Sequence, residues 1–241
     1  MRIIARLDIK NNNVIKGINL EGLRKIGNPQ SIINNYYNQN IDELLIIDSV
    51  ASLYGRNNLF ELIKKITKDI FVPITLGGGI RSLNDIENAL NSGVDKVAIN
   101  SKALDNPNFL KEATSKFGES TIVVNIEAKK ISDKNWEPYK FCGRERTNLD
   151  LNSWLDTIHD YGCGEILLTS IDHEGTEKGF DLDLIKYVHE KISKPLIISG
   201  GCGKLSDIKF IKDNFDYISV ALASVLHYEK IKIKEIKDLF K

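Results

Sequence analysis

The segment PITLGGGIRSLNDI at 73–86 recurs as PLIISGGCGKLSDI at 195–208, an offset of 122 positions (73 to 195). Two more pairs keep the same order at nearly the same offset. Glu43-Leu-Leu-Ile aligns with Glu165-Ile-Leu-Leu, again 122 positions on (43 to 165), and Arg6-Leu-Asp-Ile-Lys10 aligns with Asn125-Ile-Glu-Ala-Lys129, 119 positions on (6 to 125). Three ordered matches at nearly one spacing describe two equivalent halves, about 1–119 and 120–241.

Each half reads as four strand–helix units. Short runs rich in Ile, Val and Leu lie at 2–7, 43–47, 73–76, 96–99, 121–126, 165–169, 195–199 and 217–221. They do not alternate cleanly, as expected of parallel strands buried on both faces. Helical patterns follow at 31–39, 59–68, 83–92, 108–117, 151–161, 182–191, 205–214 and 234–240. Ser82 before Leu83 and Asn106 before Pro107 read as helix caps. Eight units in 241 residues are the size of one (β/α)₈ barrel over 1–241. An open doubly wound sheet is the rival, but a half-barrel has open sheet edges that joining two halves would close.

Composition bounds the partners. Lys plus Arg and Asp plus Glu are both 33, so a net charge of zero gives no support for a nucleic-acid or membrane partner. Three scattered cysteines, Cys142, Cys163 and Cys202, form no CxxC, so a disulfide framework is not expected and a reducing cytoplasm is the simple reading. The start, MRIIARLDIK, is too short and polar for a signal peptide. His159, His173, His189 and His227 show neither HxH nor HxxxH spacing, so no metal is expected. GxSxG and GxGxxG are absent, so neither a nucleophile elbow nor a dinucleotide cofactor is indicated.

In such barrels the strand ends and the loops after them form the active face. Asp8 ends the first strand and Glu127 the fifth, at equivalent points of the repeat, each followed two residues later by a lysine, Lys10 or Lys129. Two carboxylates facing across a mouth can divide acid and base work. Gly77-Gly78-Gly79 after strand three and Gly200-Gly201 after strand seven are small enough for backbone N–H groups to approach phosphate oxygens. Asn100-Ser101 and Ala223-Ser224, each with a short helix behind it, would complete two cups on opposite sides of the mouth. Glycines that merely make tight turns are the plain alternative. The first loop, from Asn11 to about Pro29, is long and polar and carries Lys16; it is a lid or a surface insertion. Arg2, Glu43, Lys96 and Glu165 start strands with alternating charge. By themselves they favour simple solvation over a ring of ion pairs.

RIIARLDIKNNNVIKG, IDELLIID, LGGGI, DKVAIN, VVNIEAK, GEILLTSID, ISGG and ALAS together resemble the HisF-type cyclase subunit of imidazole glycerol phosphate synthase, over nearly the whole chain. The resemblance implies a cytoplasmic enzyme without cofactor. It would join ammonia, delivered through the barrel core by a glutaminase subunit docked on the bottom face, to a bis-phosphorylated ribulosyl carboxamide. It would close an imidazole ring and release an aminoimidazole carboxamide ribotide. Asp8 then matches a catalytic aspartate, Glu127 stands where the second is usually an aspartate, and Lys16 matches a lysine of the mobile catalytic loop. Gly78, Gly79, Asn100, Ser101, Thr169, Glu174, Gly200, Gly201, Ala223 and Ser224 belong to the substrate and phosphate sites. Arg2, Glu43, Lys96 and Glu165 become the ammonia gate, and Asp95 meets the glutaminase.

Four features depart from that pattern: glutamate for aspartate at Glu127 and at Glu174 of DHEGT, the large cation Arg6 beside Asp8, and GRERT at 143–147. They resemble a paralogous branch that works with its own glutaminase and a sugar amidotransferase on acetamidino sugars of surface polysaccharides. The alternatives are the histidine-pathway cyclase itself and a non-catalytic scaffold that only conducts ammonia.

Overall fold

A computed structural model describes residues 1–51 and 59–240. Its strands are β1 (Ile3–Lys10), β2 (Asn13–Ile18), β3 (Glu21–Gly27), β4 (Glu43–Asp48), β5 (Ile74–Gly77), β6 (Lys96–Ile99), β7 (Ile122–Ser132), β8 (Asn135–Lys140), β9 (Glu145–Arg146), β10 (Glu165–Ser170), β11 (Leu196–Ser199) and β12 (Ile218–Leu222). Eight of them, in the order β1-β4-β5-β6-β7-β10-β11-β12, pair in parallel, and β12 returns to β1 through Ile3↔Val220. The sheet is therefore a closed barrel with helices between its strands, the (β/α)₈ architecture expected.

Closure explains the missing alternation. Ile4, Leu45, Ile47, Ala98, Val123, Leu167, Ile197 and Ala221 form an apolar cluster of their own along the axis. Their neighbours, such as Ile3, Ala5, Leu44 and Ile46, belong to the larger cluster that includes the surrounding helices. Both faces of each strand are thus buried. Each fully buried Leu or Ile contributes roughly 1.5–3 kcal/mol of transfer free energy, which favours unbroken aliphatic runs.

The two halves repeat local geometry. Asp85 Oδ2 accepts from the N–H groups of Arg81 and Ser82 at 3.0 and 2.9 Å, and Asp207 Oδ2 accepts from those of Gly203 and Lys204 at 2.9 and 3.1 Å. Short helices Ser101–Asp105 and Ser224–His227 start from Asn100 and Ala223 with nearly the same backbone, φ −127 and −126°. Ser82 caps its helix as expected. Asn106 does not cap: the helix Asn108–Phe117 begins from Pro107 without a side-chain bond, because the chain there is still leaving the preceding short helix.

The largest difference from expectation is the stretch after β1, which is not a loop. It folds into β2 and β3, antiparallel to β1 and to each other. Asn11 and Asn12 both take positive φ (47 and 61°), as do Asn19 and Leu20 (50 and 63°). Two successive left-handed residues are what a tight two-residue hairpin turn requires. An equivalent extension follows in the other half, where β7 continues past the barrel and pairs with β8 through Glu127↔Tyr139.

Candidate active site at the barrel mouth

Arg2, just before β1, and Ile4, Arg6 and Asp8 within it follow one another from the bottom of the barrel to the top. Arg2 belongs to a closed ring. Its Nη1 donates to Glu43 at 2.7 Å and its Nη2 to Glu165 at 2.6 Å; Lys96 Nζ meets the same two carboxylates at 2.7 and 2.9 Å. Thr75 also donates to Glu43 at 2.9 Å. The four residues expected at strand starts are therefore paired with one another, not singly solvated. Asp95 is exposed on the same face, and its Oδ2 accepts from the Ile74 N–H at 2.8 Å.

At the other end, Asp8 and Glu127 are buried, yet the space between them is not an open hollow. Arg6 enters it. Its Nε donates to Asp8 Oδ1 at 3.1 Å, and its Nη1 donates to Thr169 Oγ1 at 2.9 Å and Ser199 Oγ at 3.1 Å. Glu127 Oε2 accepts from Asn100 Nδ2 and from the Gly143 N–H, both at 2.9 Å. Burial pushes the Glu127 carboxyl up to about 7, against the opposing pull of Arg6. Removal from water outweighs the favourable cation because a carboxylate loses its hydration on all sides.

Lys16 lies on β2 and points into the protein, where it pairs with Glu174 in the loop after β10. Desolvation lowers the Lys16 ammonium to about 8. The hairpin backbone joins the same loop: Asn19 N–H donates to Glu174 O at 2.7 Å. The hairpin is thus tied to the loop after β10 at the mouth by a buried ion pair and a backbone hydrogen bond.

The two glycine-lined cups are unequal. One, bounded by Gly78, Gly79, Arg81, Asn100, Ser101 and Lys102 with Glu127 at its inner end, is a cavity of about 190 Å³. The other, bounded by Lys16, Glu174, Gly200, Gly201, Ala223 and Ser224, retains about 20 Å³ beneath the hairpin. The glycines also serve packing. A Cβ on Gly78 would lie 2.2 Å from Asp48 O and one on Gly201 2.0 Å from Gly179 O, and both residues have positive φ. Close approach of neighbouring loops therefore demands glycine at these two positions, whatever they bind.

Several residues at the site went unread in the sequence. Cys142 Sγ, 3.4 Å from Ser49 O, and Arg144 line the small space beside Asp8. Burial raises the Cys142 thiol well above its ordinary range. The GRERT segment is a brace: Arg146 donates to the fully buried Glu137 at 3.0 and 2.8 Å, fixing the turn that presents Gly143 to Glu127. His227 Nδ1 sits 2.6 Å from the Tyr36 hydroxyl, and burial pushes this histidine down to about 4. Only GRERT left a sequence signal, as a departure from a familiar pattern.

Fold and mouth together define a (β/α)₈ barrel with acidic groups and an anion-sized cup at the carboxyl ends of its strands. The chain matches the model of the histidine biosynthesis protein family over residues 2–232. Imidazole glycerol phosphate synthase subunit HisF of Legionella pneumophila is 52% identical over 207 residues, spanning 86% of this chain and 98% of that protein. The subunit of the same name from Lactococcus lactis subsp. lactis (strain IL1403) is 42% identical over 238 residues, 98% of this chain and 92% of its own length. That of Streptococcus mutans is 38% identical over 240 residues, 100% and 96% of the respective chains. The chain belongs to this histidine-biosynthesis family, as a HisF-type, cyclase-like enzyme. Among the described residues no helix is long and apolar enough to cross a membrane.

Proposed function

We propose that the chain is the ammonia-using cyclase subunit of an imidazole glycerol phosphate synthase. It is one barrel domain over 1–241, with halves meeting near 119 and 120. Asp8 and Glu127 supply acid and base, and Lys16 comes from the hairpin. One substrate phosphate rests against Gly78, Gly79, Asn100 and Ser101. The other rests against Gly200, Gly201, Ala223 and Ser224, with Thr169 and Glu174 between. Arg2, Glu43, Lys96 and Glu165 admit ammonia at the bottom face, where a glutaminase docks near Asp95 to form a heterodimer. The observation that carries this reading is that Asp8, held by Arg6, and Glu127 are both buried at the mouth, with Glu127 at the inner end of a cup lined by Lys102 and Arg81. The test is to supply the purified chain with the bis-phosphorylated ribulosyl carboxamide and ammonium. Formation of imidazole glycerol phosphate and the carboxamide ribotide at enzyme-like rates supports it; inertness of the pure, folded chain refutes it.

A second reading is the acetamidino-sugar branch, with a sugar amidotransferase as a further partner. The names of the relatives lend it no support, and the histidine-pathway cyclase stands ahead of it. What favours it is Arg6, whose three bonds occupy the middle of the mouth a bis-phosphate would span. Inertness toward the ribulosyl substrate, with stimulation of a glutaminase retained, would return it to first place.

A further inference from the structure

We infer that Arg6 is a positioning residue that makes the two mouth carboxylates unlike, holding Asp8 as the proton acceptor and leaving Glu127 as the proton donor. The inference rests on the cyclase reading above and adds a residue and a direction to it.

The geometry separates the two acids. Arg6 is anchored on three strands at once, to Asp8 on β1, Thr169 on β10 and Ser199 on β11. With 2% of its surface exposed, it has little room to swing away. The one side-chain hydrogen bond Asp8 makes among the described residues comes from this cation. Among the described residues Glu127 receives neutral donors: the Asn100 amide and the Gly143 N–H, both at Oε2, and the Asn125 side chain. A carboxyl group served by neutral donors in a dry site keeps a proton more readily than one clamped to a guanidinium. The charged or titratable groups around Glu127 are Arg6, Asp8, Cys142 and, in the same cavity, Lys102, Arg81 and Asp105; Arg144 lies beside Cys142. The value near 7 agrees with this arrangement.

The chemistry then has a direction. When ammonia adds to a ketone carbon, a C–N bond forms and the carbonyl π bond opens, giving a carbinolamine. Asp8 takes a proton from the attacking nitrogen, and Glu127 gives one to the carbonyl oxygen. One proton is taken and one given, so the step balances.

The test compares Arg6→Met and the conservative Arg6→Lys with the wild-type chain. One readout is the titration of the Glu127 carboxyl carbon by NMR in the free protein. The other is the pH profile of kcat/KM for ammonium-driven turnover, which reports groups of the free enzyme. A general acid loses activity as pH rises through its pKa, so the wild type should show a limb near 7. In Arg6→Met the Glu127 midpoint should move upward, because a cation that favoured the anion is gone, and the limb should move with it. Arg6→Lys should restore most of both. An unmoved Glu127 midpoint in a natively folded Arg6→Met chain overturns the inference, as does a limb that survives Glu127→Gln. If the wild type does not turn over the ribulosyl substrate at all, the cyclase reading fails, and the NMR titration still decides whether Arg6 governs Glu127.

Discussion

Lys16 and Glu174 meet inside the protein, one from the hairpin above the mouth and one from the loop after β10, with 4% and 3% of their side chains exposed. Removing one partner of such a pair leaves the other charge buried without compensation, at a cost of about 3–5 kcal/mol. Glu174→Gln should therefore lower stability by roughly that amount in urea unfolding. The double variant Lys16→Met with Glu174→Met should recover most of the loss. Equal losses in the single and double variants would show that the pair does not hold the hairpin.

The unequal cups set a stoichiometry. Inorganic phosphate titrated into the free chain should fill one site, the cavity bounded by Lys102 and Ser101, since its counterpart is nearly closed. Calorimetry should give one phosphate per chain and a loss of about tenfold, or ~1.4 kcal/mol, in Lys102→Met. A second phosphate should appear when Glu174→Gln releases the hairpin. Two equal sites in the wild type would contradict the closed geometry.

Glu127 couples folding to pH in an unusual sense for a carboxyl group. Its value is raised from an ordinary 4.5 to about 7, chiefly by burial. The folded state therefore holds the proton more tightly than the unfolded chain. This contribution to stability is fully present below about 4.5 and is lost as pH rises through 7. Glu127→Gln, which mimics the protonated form, should be the more stable protein at pH 8 and above, by on the order of 3 kcal/mol, with the advantage fading toward pH 4. Thermal melts of both proteins across that range check it; a variant less stable at every pH would reverse the sign.

The ring at the bottom should separate two sources of nitrogen. Lys96→Met breaks two of its four contacts, those to Glu43 and Glu165. Turnover driven by glutamine through the partner should fall about tenfold, or ~1.4 kcal/mol, while turnover driven by added ammonium should change little. Equal losses with both nitrogen donors would place Lys96 in the fold rather than in a passage.

The barrel strands were legible in the sequence because both of their faces are buried. A run such as Ile3-Ile-Ala-Arg-Leu sends Ile4 to the axis and Ile3 and Ala5 outward, and has no other low-energy use. The positions of Asp8 and Glu127 followed from the repeat. The hairpin did not, because its turns use Asn11-Asn12 and Asn19-Leu20 in place of the stronger Asn-Gly signal; Leu20 at φ 63° is tolerated only with β2 and β3 already paired. The role of Arg6 was hidden for a different reason. Its hydroxyl partners lie 163 and 193 residues away, and nothing along the chain announces their meeting. The ring of Arg2, Glu43, Lys96 and Glu165 looked like ordinary solvated charge until barrel closure brought four strand starts together.

The apolar cluster around Ile4, Ala98, Val123 and Ala221 separates the charged ring below from Arg6 and the acids above. A cation crossing such a stretch loses its hydration and finds no acceptor in return, a cost of many kcal/mol; a small neutral molecule pays only a few. On the cyclase reading the barrel would act as a charge sieve: nitrogen travelling its length would do so as a free base, its proton surrendered before entry. It would arrive beneath the guanidinium already nucleophilic, with its lone pair free.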